Sequence, residues 1–130
     1  MNPRKGKVHM DWNFRNGIPI YTQIADEMTM RIASGAYAPG DKLPSVRDLA
    51  MDAGVNPNTM QRALSDLEHK GLVFSERTSG RFVTKDADVL KKLHEELARI
   101  YFDEFTAKLK KIGMDHEEIT KTILSYLKND

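Results

Sequence analysis

Between Asn56 and His69 the chain carries side chains of the types that read nucleic-acid bases, set against an apolar row. At about 100° per residue, Met60, Ala63, Leu64 and Leu67 share one helix face. Asn58, Arg62, Ser65 and His69 lie opposite, with Thr59 and Gln61 on the flanks. Arg62 could donate two hydrogen bonds to guanine O6 and N7, and Asn58 or Gln61 could pair with adenine. Only the first turns of such a helix reach deep into a major groove, which favours Asn58, Thr59, Gln61 and Arg62 over Ser65 and His69. On an arbitrary amphipathic helix the same face would most often be merely solvated. The surrounding elements decide between the two readings.

Other groups suit phosphate chemistry. Tyr21 and Ser45 stand at predicted helix starts, where a hydroxyl can bond a phosphate together with helical N–H groups, although Ser45 is also an N-cap and Tyr21 can simply pack. The run Arg77-Thr78-Ser79-Gly80-Arg81 offers two cations, a hydroxyl at Ser79 and a glycine that permits close approach to a minor groove or phosphate. A plain hairpin tip would share these features.

Catalytic chemistry finds no such support. His9, His69, His94 and His116 are scattered, and His94-Glu95-Glu96 and His116-Glu117-Glu118 each lack the second histidine of a zinc-protease helix. There is no cysteine, Gly-rich phosphate loop or paired acid and base, so neither an enzyme nor a cofactor is expected. His94 with Glu95 or Asp103 could contribute to an ion site in a metal-responsive sensor, but surface His and Glu are usually just solvated.

The elements that position these groups are legible in order. Ile20, Ile24, Met28 and Ile32 form a first helix stripe after Pro19, which suits the first helical position, and Gly35 stops it. Ser45 caps a short helix with Asp48 three residues on; Val46, Leu49, Ala50 and Ala53 face inward, and Gly54 ends it. Asn56 then caps, and Pro57 begins, a helix reaching Gly71. Two helices joined by a tight turn form a helix-turn-helix. Leu72–Glu76 and Arg81–Thr84 read as strands of a hairpin, the wing of a winged helix.

Beyond Asp86 the pattern is helical again. Leu90, Leu93, Leu97, Ile100, Tyr101, Phe105, Leu109 and Ile112 recur at three- and four-residue steps, over about 38 Å at 1.5 Å per residue. Gly113 breaks the helix, and a last one starts at Asp115 with Glu118 in a capping box, Met114 placed to staple onto Ile119, and Ile119, Ile123 and Leu127 as its stripe. That helix is too short to cover the long stripe, so Leu90 to Leu109 are expected to bury against a second copy. The expected class is α+β, mostly α: residues 1–16 a partly flexible arm, 17–85 a winged helix-turn-helix, 86–130 a two-helix dimerisation segment. Residues 1–9 carry no weight in the fold.

Bulk numbers agree without deciding. The net charge of +1 hides an asymmetry: residues 1–85 hold 12 Lys/Arg against 9 Asp/Glu, and residues 86–130 hold 8 against 10. The positive part is the one assigned to DNA. No apolar run approaches the roughly 18 residues of a membrane span, so a membrane is not among the expected partners; the lack of cysteine fits a reducing cytoplasm.

The runs Pro19–Ile24, Gly35–Ala50 and Gly54–Thr59, followed by Arg62-Ala63-Leu64, Leu67-Glu68, Gly71, Gly80 and Phe82-Val83, closely resemble the GntR family of bacterial transcription factors over residues 17–84. Only 46 residues follow Thr84, which looks like the short YtrA-type branch, as does Asn56-Pro57-Asn58-Thr59. The resemblance implies a cytoplasmic regulator, often a repressor of transporter operons, that binds double-stranded palindromic operator DNA as a homodimer. It also places Arg47 at a DNA-contacting position. Some relatives carry arginine where this chain has Gln61, so base preference does not transfer. The competing readings are a winged-helix protein-docking module and an effector- or metal-responsive sensor; an effector would have to use the dimer interface or the junction near Asp86.

Overall fold

The computed structural model describes residues 12–129, so the leader at 1–9 lies outside the described residues. Helix α1 runs Ile20–Ala33 and buries Ile24, Ala25, Met28 and Ile32. Pro19 takes the N-cap rather than the first helical position: its ψ of 135° is extended, and its carbonyl accepts from Gln23 N at 3.3 Å. The Gln23 side chain fastens the incoming chain. Its Oε1 accepts from Arg15 N at 2.8 Å, while its Nε2 donates to the carbonyls of Arg15 and Ile18, each at 2.9 Å. Trp12 Nε1 donates to Asp52 Oδ2 at 2.9 Å. Residues 12–16, expected to belong to a partly flexible arm, are therefore tied to α1 and to the next helix.

Helix α2, Val46–Ala53, begins at Ser45, whose Oγ accepts from Asp48 N at 3.1 Å. Gly54 closes it at φ 69° and ψ 36°, the left-handed cap that the sequence leads one to expect. Helix α3, Pro57–His69, is capped by Asn56 Oδ1, which accepts from Asn58 N at 2.7 Å. Leu72 N returns to Leu67 O at 3.0 Å, fixing where the chain leaves α3.

Strands β1, Val73–Glu76, and β2, Gly80–Val83, pair antiparallel with Val73 opposite Val83 and Glu76 opposite Gly80. Each starts one residue from the run read in the sequence. A third stretch joins them: Leu43 N donates to Arg81 O and Val83 N to Asp41 O, both at 2.9 Å, with Lys42 bridged to Phe82. The link into α2 is thus held as an edge of the wing. Ile24, Met28, Met60, Leu64, Leu67 and Val83 are the largest fully buried side chains, so one core joins α1, α3 and the wing. Leu43 and Tyr37 are buried as well.

The chain divides into two compact units after Lys91, within helix α4, Ala87–Lys111. The second unit continues through α5, His116–Lys128, whose capping box is complete: Asp115 Oδ1 accepts from Glu118 N at 2.9 Å and Glu118 Oε1 from Asp115 N at 3.1 Å. Leu93 and Ile119 are its buried side chains among the described residues. No helix of the described residues is long and apolar enough to cross a membrane.

A Cβ at Gly54 would meet nothing within 4 Å, so only backbone conformation resists substitution there. Gly54→Ala should lower stability by about 1–2 kcal/mol in urea unfolding, and Gly54→Asn by less, because Asn tolerates the left-handed region. Equal losses for the two would mean that the turn rejects any side chain.

Candidate nucleic-acid interface

The buried stripe of α3 orients everything else on that helix. Met60, Ala63, Leu64 and Leu67 are at most 1% exposed, so the opposite side must face solvent. There Asn58, Gln61, Arg62, Ser65 and His69 are exposed, whereas Thr59 is half-buried. Gln61 Nε2 donates to Ser65 Oγ at 3.1 Å. Arg62 lies over the ring of Tyr21, with Cζ 3.8 Å from the ring centre. The structure thus brings the ring of Tyr21, at the start of α1, against Arg62 of α3.

Ser45 and Asn56 are both caps. Ser45 Oγ accepts from Asp48 N, which leaves its proton free to donate. Asn56 Oδ1 accepts from Asn58 N, which leaves its NH₂ group as the part able to meet a ligand. Arg47 is exposed one residue inside α2.

The wing corrects one expectation. Arg81, read as a second tip cation, places Nε 2.6 Å from Glu68 Oε1 on α3. The same oxygen accepts from Ser75 Oγ at 2.7 Å. Arg81 therefore braces the hairpin against α3 instead of reaching outward. The hydrogen bond from Ser75, then that from Arg81, holds the Glu68 carboxyl below its ordinary range against the opposing effect of partial burial. Arg77 and Ser79 remain exposed at the tip.

A different cation takes Arg81's expected place. Gly80 has φ 115°, and a Cβ there would lie 3.0 Å from Lys42 Cε and 3.8 Å from Lys42 Nζ. The glycine admits the lysine side chain of the 41–43 edge, so its close approach is to Lys42. The sequence alone does not mark that residue, because its position depends on pairing with β2, some forty residues away. Lys42, Ser45, Arg77 and Arg81 line an open groove of about 980 Å³ between the start of α2 and the wing. Asp48 and Glu76 line it too, so the carboxylates balance Lys42 and Arg77, while Arg81 is paired with Glu68.

On α4, Leu93 is only 7% exposed within one chain, and Leu90, Leu97 and Leu109 are half-buried. Ile100, Tyr101 and Phe105 are exposed at 50%, 47% and 44%. Phe102, absent from the sequence-read stripe, is exposed as well, as are Leu124, Tyr126 and Leu127 on α5. Three consecutive apolar residues, 100–102, widen the face beyond a single stripe. Asp103, weighed as an ion ligand, pairs with Arg99 at 3.2 Å, and no three His, Asp or Glu groups gather to hold a metal among the described residues.

Comparison with known proteins places this geometry. Residues 20–83 match the family model of bacterial regulatory proteins, gntR family. The chain is 38% identical over 117 residues to the uncharacterized HTH-type transcriptional regulator YhcF of Bacillus subtilis, covering 90% of this chain and 97% of the relative. It is 33% identical to the HTH-type transcriptional repressor YtrA of the same organism, over 89% of this chain and 95% of YtrA. Among solved structures, a GntR family transcriptional regulator from Listeria monocytogenes superposes with a TM-score of 0.77 at 33% identity, over 90% of this chain and 99% of that one. The AraR DNA-binding domain, solved in complex with an operator, superposes at 0.55 with 29% identity, over 59% of this chain and 99% of that one. The chain belongs to the GntR family and is a DNA-binding transcriptional regulator.

The Glu68 brace has a pH signature. Its carboxyl titrates below the ordinary 4.5 in the folded chain, so its stabilisation is complete above that value and lost as pH falls through the lowered one. Glu68→Gln should therefore unfold more easily by roughly 1 kcal/mol at neutral pH, and the gap from the parent should close in acid. A gap constant down to strongly acidic pH would show that Glu68 acts through shape, not charge.

Proposed function

We propose that this member of the GntR family is a repressor that binds a palindromic operator as a homodimer, with residues 17–85 on the DNA and residues 86–130 joining two copies. The observation that carries this reading is the exposed polar face of α3, held at a fixed angle by the Arg81–Glu68 pair. Arg62, Gln61 and Asn58 would read base edges from the first turns of α3, with half-buried Thr59 contributing less. Phosphates would be met by Ser45, Arg47, the Asn56 amide and the Tyr21 hydroxyl, and by Lys42, Arg77 and Ser79 around Gly80. Base contacts set the sequence, and phosphate contacts set the register.

The dimer reading rests on apolar exposure. Ile100, Tyr101, Phe102 and Phe105 in water would form a patch of a kind that monomers avoid, and a second copy supplies the two-fold symmetry that a palindrome mirrors. The repressor reading draws on the name of YtrA, and the operator reading on the AraR complex. The resemblance to the YtrA-type branch extends it to a transporter operon in the bacterial cytoplasm.

Selection from a random DNA pool at two salt concentrations tests the whole. The enriched sequence should be an inverted repeat with half-sites about 34–36 Å apart or a multiple. A site with about six phosphate contacts should lose roughly 10³-fold in affinity between 50 and 200 mM salt. Absence of enrichment would favour the protein-docking alternative. Ile100→Asp combined with Phe105→Asp, both at positions already half exposed in one chain, should halve the mass seen by light scattering and weaken operator binding. An unchanged mass would sink the dimer assignment.

A further inference from the structure

Arg62 is the longest side chain on the exposed face of α3, yet it is not left to swing. Its guanidinium carbon stands 3.8 Å from the centre of the Tyr21 ring. The ring is itself placed by packing: Tyr21, Ile24 and Met28 are spaced i, i+3 and i+7 along α1, and the latter two are wholly buried where α1 packs on α3. The acidic group one turn along α3, Asp66, pairs instead with Lys70 at 3.1 Å. Among the described residues Arg62 makes no ion pair, so the aromatic face is its partner.

We infer that Tyr21 is a positioning residue for Arg62: its ring fixes the plane and direction of the guanidinium, and so sets which base pair Arg62 addresses. The inference rests on the operator-reading function above and adds a role for Tyr21 beyond any phosphate contact. A guanidinium stacked on an aromatic ring gives up one π face and keeps its in-plane N–H edge, the edge that makes two parallel bonds to guanine. Holding a long side chain in its bound conformation before DNA arrives removes part of the ordering loss on binding. The hydroxyl is not needed for this; the ring is.

The test compares the parent with Tyr21→Phe, Tyr21→Leu, Arg62→Ala and the Leu–Ala double variant, using the selected operator and a scrambled duplex, and checks each variant's folding by its Tm. Tyr21→Phe should retain the preference for operator over scrambled DNA, whatever overall affinity leaves with the hydroxyl. Tyr21→Leu should reduce that preference by about 3- to 30-fold. Arg62→Ala added to Tyr21→Leu should cost less than it does in the parent, because the two act through one contact. In the free protein, NMR should show ring-current shifts on the Arg62 side chain that vanish in Tyr21→Leu. Additive losses, equal losses for Phe and Leu, or no ring-current shift in the parent would overturn the inference. If the parent selects no operator, the functional reading fails first and the role assigned to Tyr21 fails with it.

Discussion

The structure of the DNA-binding unit depends on the burial of one side of a single helix. Four α3 side chains, Met60, Ala63, Leu64 and Leu67, lie in the core with Ile24, Met28 and Val83. Because Cβ directions on a helix are fixed by its period, burying that stripe forces Asn58, Gln61 and Arg62 outward together. The exposed polar face follows from the core and needs no separate device to expose it.

Two polar contacts then convert exposure into orientation. Glu68 sits at the margin of the buried stripe and takes Arg81 from the wing, so the hairpin angle is referred to the same helix that carries the polar face. Tyr21 stands at the end of the buried stripe of α1 and takes Arg62. Both arginines are held by partners that the core itself positions. The cost is a smaller outward charge at the wing, offset by Lys42 arriving across Gly80.

What was legible in the sequence is what local chemistry decides. The caps Ser45, Asn56 and Asp115, the left-handed Gly54 and the apolar periods of α1 and α3 all stand where their residue types require. Pairings between distant segments were not legible. Nothing local to Asp41-Lys42-Leu43 marks it as a strand edge, since its partner is β2. Arg81 looked like a tip cation because the sequence does not show that Glu68 and Ser75 converge on it. Phe102 escaped because a stripe drawn at three- and four-residue steps already had Tyr101 beside it.

On the proposed function, α3 and the groove beside the wing form the surface that meets DNA. Titrating the isotope-labelled full chain with its selected operator and following NMR shifts residue by residue tests it most directly. Saturable changes are expected at Arg47, Asn58, Gln61, Arg62, Lys42, Arg77 and Gly80. Binding that left α3 silent and moved only residues of α4 and α5 would contradict it.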